Sequence, residues 1–143
     1  MLILRPRVLL SLVLFAVAAA GCGGSSASPT ATALTVRERD FAITLPIRTL
    51  AAGDVVLRDV NRGPDAHELI VVRADSAAAL PLRHDGLTVD EDALEKATVG
   101  ALEPDGAGTV RDLRVRLKPG RYVLFCNMSG HFKGGMHTTL VVH

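Results

Sequence analysis

The run Cys126-Asn127-Met128-Ser129-Gly130-His131-Phe132-Lys133-Gly134-Gly135-Met136 decides how the rest of this sequence is read. It offers a thiolate, an imidazole and a thioether at spacings Cys-x4-His-x4-Met, set between residues 121–125 and 138–142, which both read as strands. Gly130, Gly134 and Gly135 can take the positive φ values that let such a loop fold back around a point. Taken singly, Cys126 is a small buried hydrophobe, Met136 a core filler and His131 an ordinary histidine. As an ordered set just before a final strand they are candidate ligands for one metal ion.

A fourth donor has to come from elsewhere. The strand that follows the breaker cluster Asn61-Arg62-Gly63-Pro64-Asp65-Ala66 opens with His67, 59 residues before Cys126. Two imidazoles and a thiolate with a weak axial Met form the ligand set of a blue copper electron-transfer site. The pattern therefore predicts one copper ion, cycling between Cu(I) and Cu(II), on His67, Cys126, His131 and Met136. His84, His137 and His143 fall outside it and are read as surface residues.

Outward from these residues the chain has a strand-and-turn rhythm. Residues 34–45 place apolar Leu34, Val36, Phe41, Ile43 and Leu45 around a polar break, Arg37-Glu38-Arg39-Asp40, which predicts one or two half-buried strands. Ala52-Gly53-Asp54 is turn chemistry, residues 55–60 are a strand, and residues 67–72 are the next. Residues 74–107 break the rhythm and read as an excursion with a short helix, lying across a face or edge of the sheets. The carboxylates of Asp90, Glu91, Asp92 and Glu95 are read as a solvated helix face, because no nucleophile or base partners them. Strand signals resume at 109–117, and Lys118-Pro119-Gly120 is a turn. Short strands with this punctuation predict an all-β fold, a two-sheet Greek-key β-sandwich.

With these parts in place, residues 34–142 resemble the bacterial cupredoxins. The resemblance is carried by the Asn61-x-Gly63 loop leading to His67-Glu68-Leu69, by Pro119-Gly120-x-Tyr122, and by Cys126-x4-His131-x4-Met136. It implies a cupredoxin-like sandwich and a non-enzymatic carrier that shuttles single electrons between a donor and an acceptor redox protein. It also implies that the His131 edge reaches a surface patch, for which Met128 and Phe132 are candidates. One position departs from the family. Many small cupredoxins place Asn after the first His, where it ties the two ligand loops, and this chain has Glu68, so the tie is either absent or rebuilt.

The N-terminus gives an address. Arg5 and Arg7, an apolar run from Val8 to Ala20 and the small residues before Cys22 make 1–21 a secretory signal. Ala19-Ala20-Gly21-Cys22 resembles a bacterial lipoprotein processing site, so Cys22 is expected to carry a lipid that anchors the protein to a membrane. Residues 22–33 read as a flexible tether and 34–143 as one domain, expected to be monomeric in the periplasm or on the outer face of the cell membrane. Without the signal's two arginines the chain carries 14 basic against 15 acidic residues, which gives no reason to expect a nucleic-acid partner. The competing function is an extracytoplasmic copper chaperone or buffer, which favours Met- or His-rich exposed ligands, whereas only three Met occur here. Multicopper enzymes need further His ligands, and paired His-x-His motifs are absent.

Overall fold

The computed structural model describes residues 31–143. The signal segment, Cys22 and the tether up to Thr30 lie outside the described residues. Nine strands follow: β1 (Thr32–Arg39), β2 (Ala42–Thr44), β3 (Thr49–Leu50), β4 (Gly53–Asn61), β5 (His67–Arg73), β6 (Thr98–Asp105), β7 (Val110–Leu117), β8 (Gly120–Phe125) and β9 (His137–Val142). One sheet has the order β2-β1-β4-β7 and the other β3-β9-β8-β5-β6. Pairing is antiparallel except for β1 with β4 and β3 with β9. The expected all-β sandwich is what the chain forms.

Period-two patterning builds the first sheet. In β4 and β7, Val55, Leu57, Val115 and Leu117 face the core, while Arg58, Arg114 and Arg116 face solvent. Opposite them in the second sheet stand Leu69, Val71, Tyr122, Leu124 and Leu140, and together these side chains fill the space between the sheets. The turn before β8 is held by Tyr122, whose hydroxyl accepts from the Lys118 N–H (3.0 Å) and donates to the Lys118 carbonyl (2.9 Å).

β5 and β8 carry continuous apolar runs because both of their faces are buried. Ile70, Val72, Val123 and Phe125 point away from the main core and meet a second cluster formed by Leu80, Val89, Leu94 and Phe132. The first three of these belong to the excursion of residues 74–107, which contains a 3-10 turn (Ala77–Ala79) and the single-turn helix α1 (Glu91–Leu94). The excursion thus lies across a sheet face as expected. What the sequence reading missed is that its last part, 98–105, is β6, an edge strand paired with β5. Gly100 and Pro104 interrupt the strand signal, and an edge tolerates both.

Two further differences bear on the site. Residues 37–39 are no break, since β1 runs through them and pairs with β4 up to Glu38 opposite Asn61. Only Asp40 and Phe41 form the turn to β2, with Phe41 at φ 61°, a left-handed conformation unusual for a bulky residue. Glu38 is fully buried beside Asp59 of β4.

Candidate metal centre

Strand ends position the donors. His67 is the first residue of β5, Cys126 follows the last residue of β8, and the antiparallel pairing of those strands brings them to the same end of the sandwich. The loop 126–136 then closes on itself. The Cys126 N–H donates to the Met136 carbonyl (3.1 Å), the Met136 N–H to the His131 carbonyl (3.0 Å), and the His131 N–H to the Met128 carbonyl (2.8 Å). Gly130 and Gly135 take the expected positive φ, 80° and 105°. Gly134 does not, and its role is space, because a Cβ there would collide with the Phe41 ring.

The result is a compact donor set. Nδ1 of His131 lies 3.6 Å and Nδ1 of His67 4.0 Å from Cys126 Sγ, and the three donor atoms fall within 4.8 Å of one another. An ion about 2.0 Å from nitrogen and about 2.3 Å from sulfur separates the two by roughly 3.5–3.7 Å at tetrahedral to trigonal angles. The spacing therefore fits a metal with little adjustment. Met136 is fully buried in the same apolar cluster as Cys126. His67 and Cys126 are fully buried, and His131 keeps 8 % of its surface exposed. All four expected ligands thus stand at one end of the sandwich, while His84, His137 and His143 are exposed.

The electrostatics suit a soft cation. Burial pushes the Cys126 thiol up to about 11, while the Glu68 and Met128 backbone amides favour its thiolate. A coordinating metal ion deprotonates such a thiol outright. Burial, then the neighbouring His131, push the His67 imidazole below its ordinary range, and Asp40 opposes them. Asp40 Oδ1 lies 3.1 Å from His67 Nε2, close enough for an ion pair but off the line of a hydrogen bond, so Nε2 has no well-aligned acceptor among the described residues. On the other imidazole, Asp65 Oδ2 lies 3.7 Å from His131 Nε2.

The tie between ligand loops is rebuilt rather than lost. Glu68 Oε1 accepts from the Asn127 N–H (3.0 Å), joining the residue after one ligand to the residue after the other. Asn127 in turn accepts from the Val89 N–H (2.6 Å) and donates to the Val89 carbonyl (3.0 Å) and to Glu91 Oε1 (2.7 Å). The excursion is therefore pinned to the donor loop, and Glu91 has a part in holding it. Burial, then the Glu91 carboxylate, raise the Glu68 carboxyl above its usual range.

The expected surface patch needs correcting. Phe132 is 7 % exposed and packs edge-on against Phe125 (5.6 Å between centroids), and Met128 is half-buried against the main core. The aromatic side chain at the surface is Phe41, 51 % exposed, its ring edge-on to His131 at 5.4 Å. Sequence reasoning placed Phe41 among half-buried strand positions and gave Asp40 and Asp65 no role. An Asp-Phe pair between alternating runs does signal a turn, but nothing local reports what that turn touches.

No family model matches the sequence, and no curated protein does. Solved structures do. Reduced auracyanin from Roseiflexus castenholzii superposes with a TM-score of 0.61 at 19 % identity, over 79 % of this chain and 98 % of that one. Auracyanin B gives 0.58 at 24 % identity, over 79 % and 89 %, and reduced rusticyanin 0.59 at 14 %, over 80 % and 81 %. The class these likenesses define is plain: this chain has the cupredoxin fold. Within that class the donors His67, Cys126 and His131, with Met136 beside them, form a candidate type 1 copper site.

Proposed function

We propose that this protein binds one copper ion, which Nδ1 of His67, Sγ of Cys126, Nδ1 of His131 and the thioether of Met136 would hold, and carries single electrons between redox proteins outside the cytoplasmic membrane. The observation that carries the reading is the burial of a thiol and two imidazole nitrogens within 4.8 Å of one another, in a fold shared with auracyanins and rusticyanin. A related chain, auracyanin A from Chloroflexus aurantiacus, is described as a "blue" copper protein, matching with a TM-score of 0.56 at 18 % identity.

Copper at this position supplies a one-electron Cu(I)/Cu(II) couple; the chain's task is to keep its donors still. Cys126 and His67 are fixed by strand ends, His131 and Met136 by the loop's own hydrogen bonds, and Glu68 locks the two loops together. Donors already in place need little rearrangement between oxidation states. Burial excludes water from the thiolate, and the exposed rim of His131 with the Phe41 ring is where a redox partner comes closest. Buried donors are poorly suited to handing a metal onward, which favours a carrier over a chaperone.

The absorption spectrum of the full chain loaded with Cu(II) tests this. An intense thiolate-to-copper band that vanishes in Cys126→Ala and moves in Met136→Ala supports the site, whereas one pale spectrum common to all three overturns it. Export and a lipid on Cys22 belong to the same proposal. Among the described residues no helix is long and apolar enough to cross a membrane. Cys22→Ala should move the protein out of the membrane fraction, and unchanged fractionation rejects the anchor.

A further inference from the structure

Asp40 is no part of the donor set, yet its carboxylate is the closest charged group to a donor ring. Its Oδ1 lies 3.1 Å from His67 Nε2, and its side chain is 25 % exposed against 0 % for His67. Two backbone contacts hold it there. The Arg62 N–H donates to the Glu38 carbonyl (2.7 Å), docking the β1–β2 turn on the loop before His67, and the Asp65 N–H donates to Asp40 Oδ1 (3.4 Å). Residue 63 must leave room, since a Cβ on Gly63 would collide with Asp40 Oδ1 and stand 2.6 Å from His67 Nε2. Gly63 itself is fixed by donating its N–H to Asn61 Oδ1 (3.0 Å). Three separate features, the turn, the glycine and Asn61, thus converge on one carboxylate–imidazole pair.

In a neutral imidazole only one nitrogen carries the proton, and the partner of one nitrogen decides the state of the other. A carboxylate behind a ligand histidine fixes its tautomer and makes it a better donor. From the contacts around it we infer that Asp40 is a positioning residue for His67: it keeps the ring proton on Nε2, leaves Nδ1 bare toward Cys126 Sγ, and places a negative charge that favours the more positive oxidation state of bound copper. Asp65 stands in the same relation to His131, but at 3.7 Å and 60 % exposed it is largely screened. Only the effect on oxidation state rests on the copper reading; the tautomer belongs to the metal-free chain.

The test uses the full chain with Asp40→Asn, Asp40→Ala, Gly63→Ala and Asp65→Asn. Nitrogen-15 NMR of the metal-free protein should show His67 protonated at Nε2 in wild type and in Asp40→Asn, whose amide oxygen still accepts. Mixed tautomers are expected in Asp40→Ala and Gly63→Ala. With Cu(II) and Cu(I) as probes, Asp40→Asn should lose about 10- to 100-fold of Cu(II) affinity and less for Cu(I). Each uncompensated factor of ten raises the one-electron potential by about 59 mV. Asp65→Asn should change both far less. The inference is overturned if Asp40→Ala keeps a single Nε2–H tautomer, or if Asp40→Asn leaves the Cu(II) to Cu(I) affinity ratio unchanged. Should wild type give no blue centre, the copper reading has failed, and the NMR result alone decides whether Asp40 sets His67.

Discussion

Two polar clusters are buried in this sandwich, and they are satisfied by different means. One is the donor set of His67, Cys126 and His131. The other is Glu38, Asp59 and Arg111, in which the Arg111 guanidinium donates to Asp59 Oδ2 (3.0 Å) and to the carbonyls of Glu103 and His67. With both carboxyls ionised, Glu38 has no donor among the described residues. Burial, then the Asp59 charge, push Glu38 up to about 9, so at neutral pH it holds a proton that it can give to Asp59 in a hydrogen bond. Burial raises Asp59 as well, with Arg111 holding it down. Hard acidic oxygens are thus settled by one guanidinium and one proton, while the soft neutral donors next to them are left for a cation. The contrast shows that burial of polar atoms is no sign of a metal site by itself; the chemistry of the donors makes the distinction.

Arg111→Met should separate the clusters most sharply. It leaves Asp59 buried without a counter-charge, at a cost of about 3–5 kcal/mol, read by urea denaturation, and a loss below about 1 kcal/mol would mean that the carboxyls do not need it. Next in size is Glu68→Ala, which removes the acceptor of the Asn127 N–H and should cost about 1–3 kcal/mol in the metal-free chain; a smaller loss in the presence of copper would show the ion taking over the tie between loops.

The pH dependence works in opposite senses for the two clusters. Folded Glu38 keeps its proton up to about 9, whereas the unfolded carboxyl loses it near 4.5, so its contribution to stability is full at low pH and declines as pH rises through that window. Glu38→Gln should flatten that decline, and an unchanged pH slope would place the proton elsewhere. His67 runs the other way. Its folded value is lowered, so the unfolded chain binds the proton first, and the metal-free protein should lose stability as pH falls below about 6.5. His67→Phe should weaken that acid sensitivity. The smallest effect is expected from Phe41→Asn. Asn tolerates the left-handed backbone, so the relief of strain offsets part of the lost ring contact, and thermal unfolding should move by less than about 1 kcal/mol. A large loss would make the ring a structural prop rather than a cover for His131.

The donor loop was legible because its residue types are few and their order is local: Cys126, His131 and Met136 lie within one turn-rich run, and His67 opens a clear strand. Alternation gave the end of β7, where Arg114 and Arg116 separate Leu113, Val115 and Leu117, and the turn residues on either side bounded the apolar runs of β4 and β5. Glu38 misled because charge was equated with exposure, while its partners Asp59 and Arg111 lie on two other strands. β6 was hidden by Gly100 and Pro104, whose cost depends on the strand lying at an edge, which is a tertiary fact. Asp40 and Phe41 were illegible for a related reason. Their turn can be read locally, but their placement against His67 and His131 follows from how β1 lies on β4, and no residue near them in sequence reports it.

The wide gap in sequence between His67 and Cys126 has a consequence for how the protein comes apart. An ion held by both closes a loop of 59 residues, and a cross-link of that span removes freedom from the unfolded chain equivalent to about 4 kcal/mol. Because β5 and β8 are adjacent and central in their sheet, such a staple joins strands whose parting defines global unfolding. The metal-loaded protein should therefore be lost slowly, on the time scale of ion release, rather than by fraying from its edges.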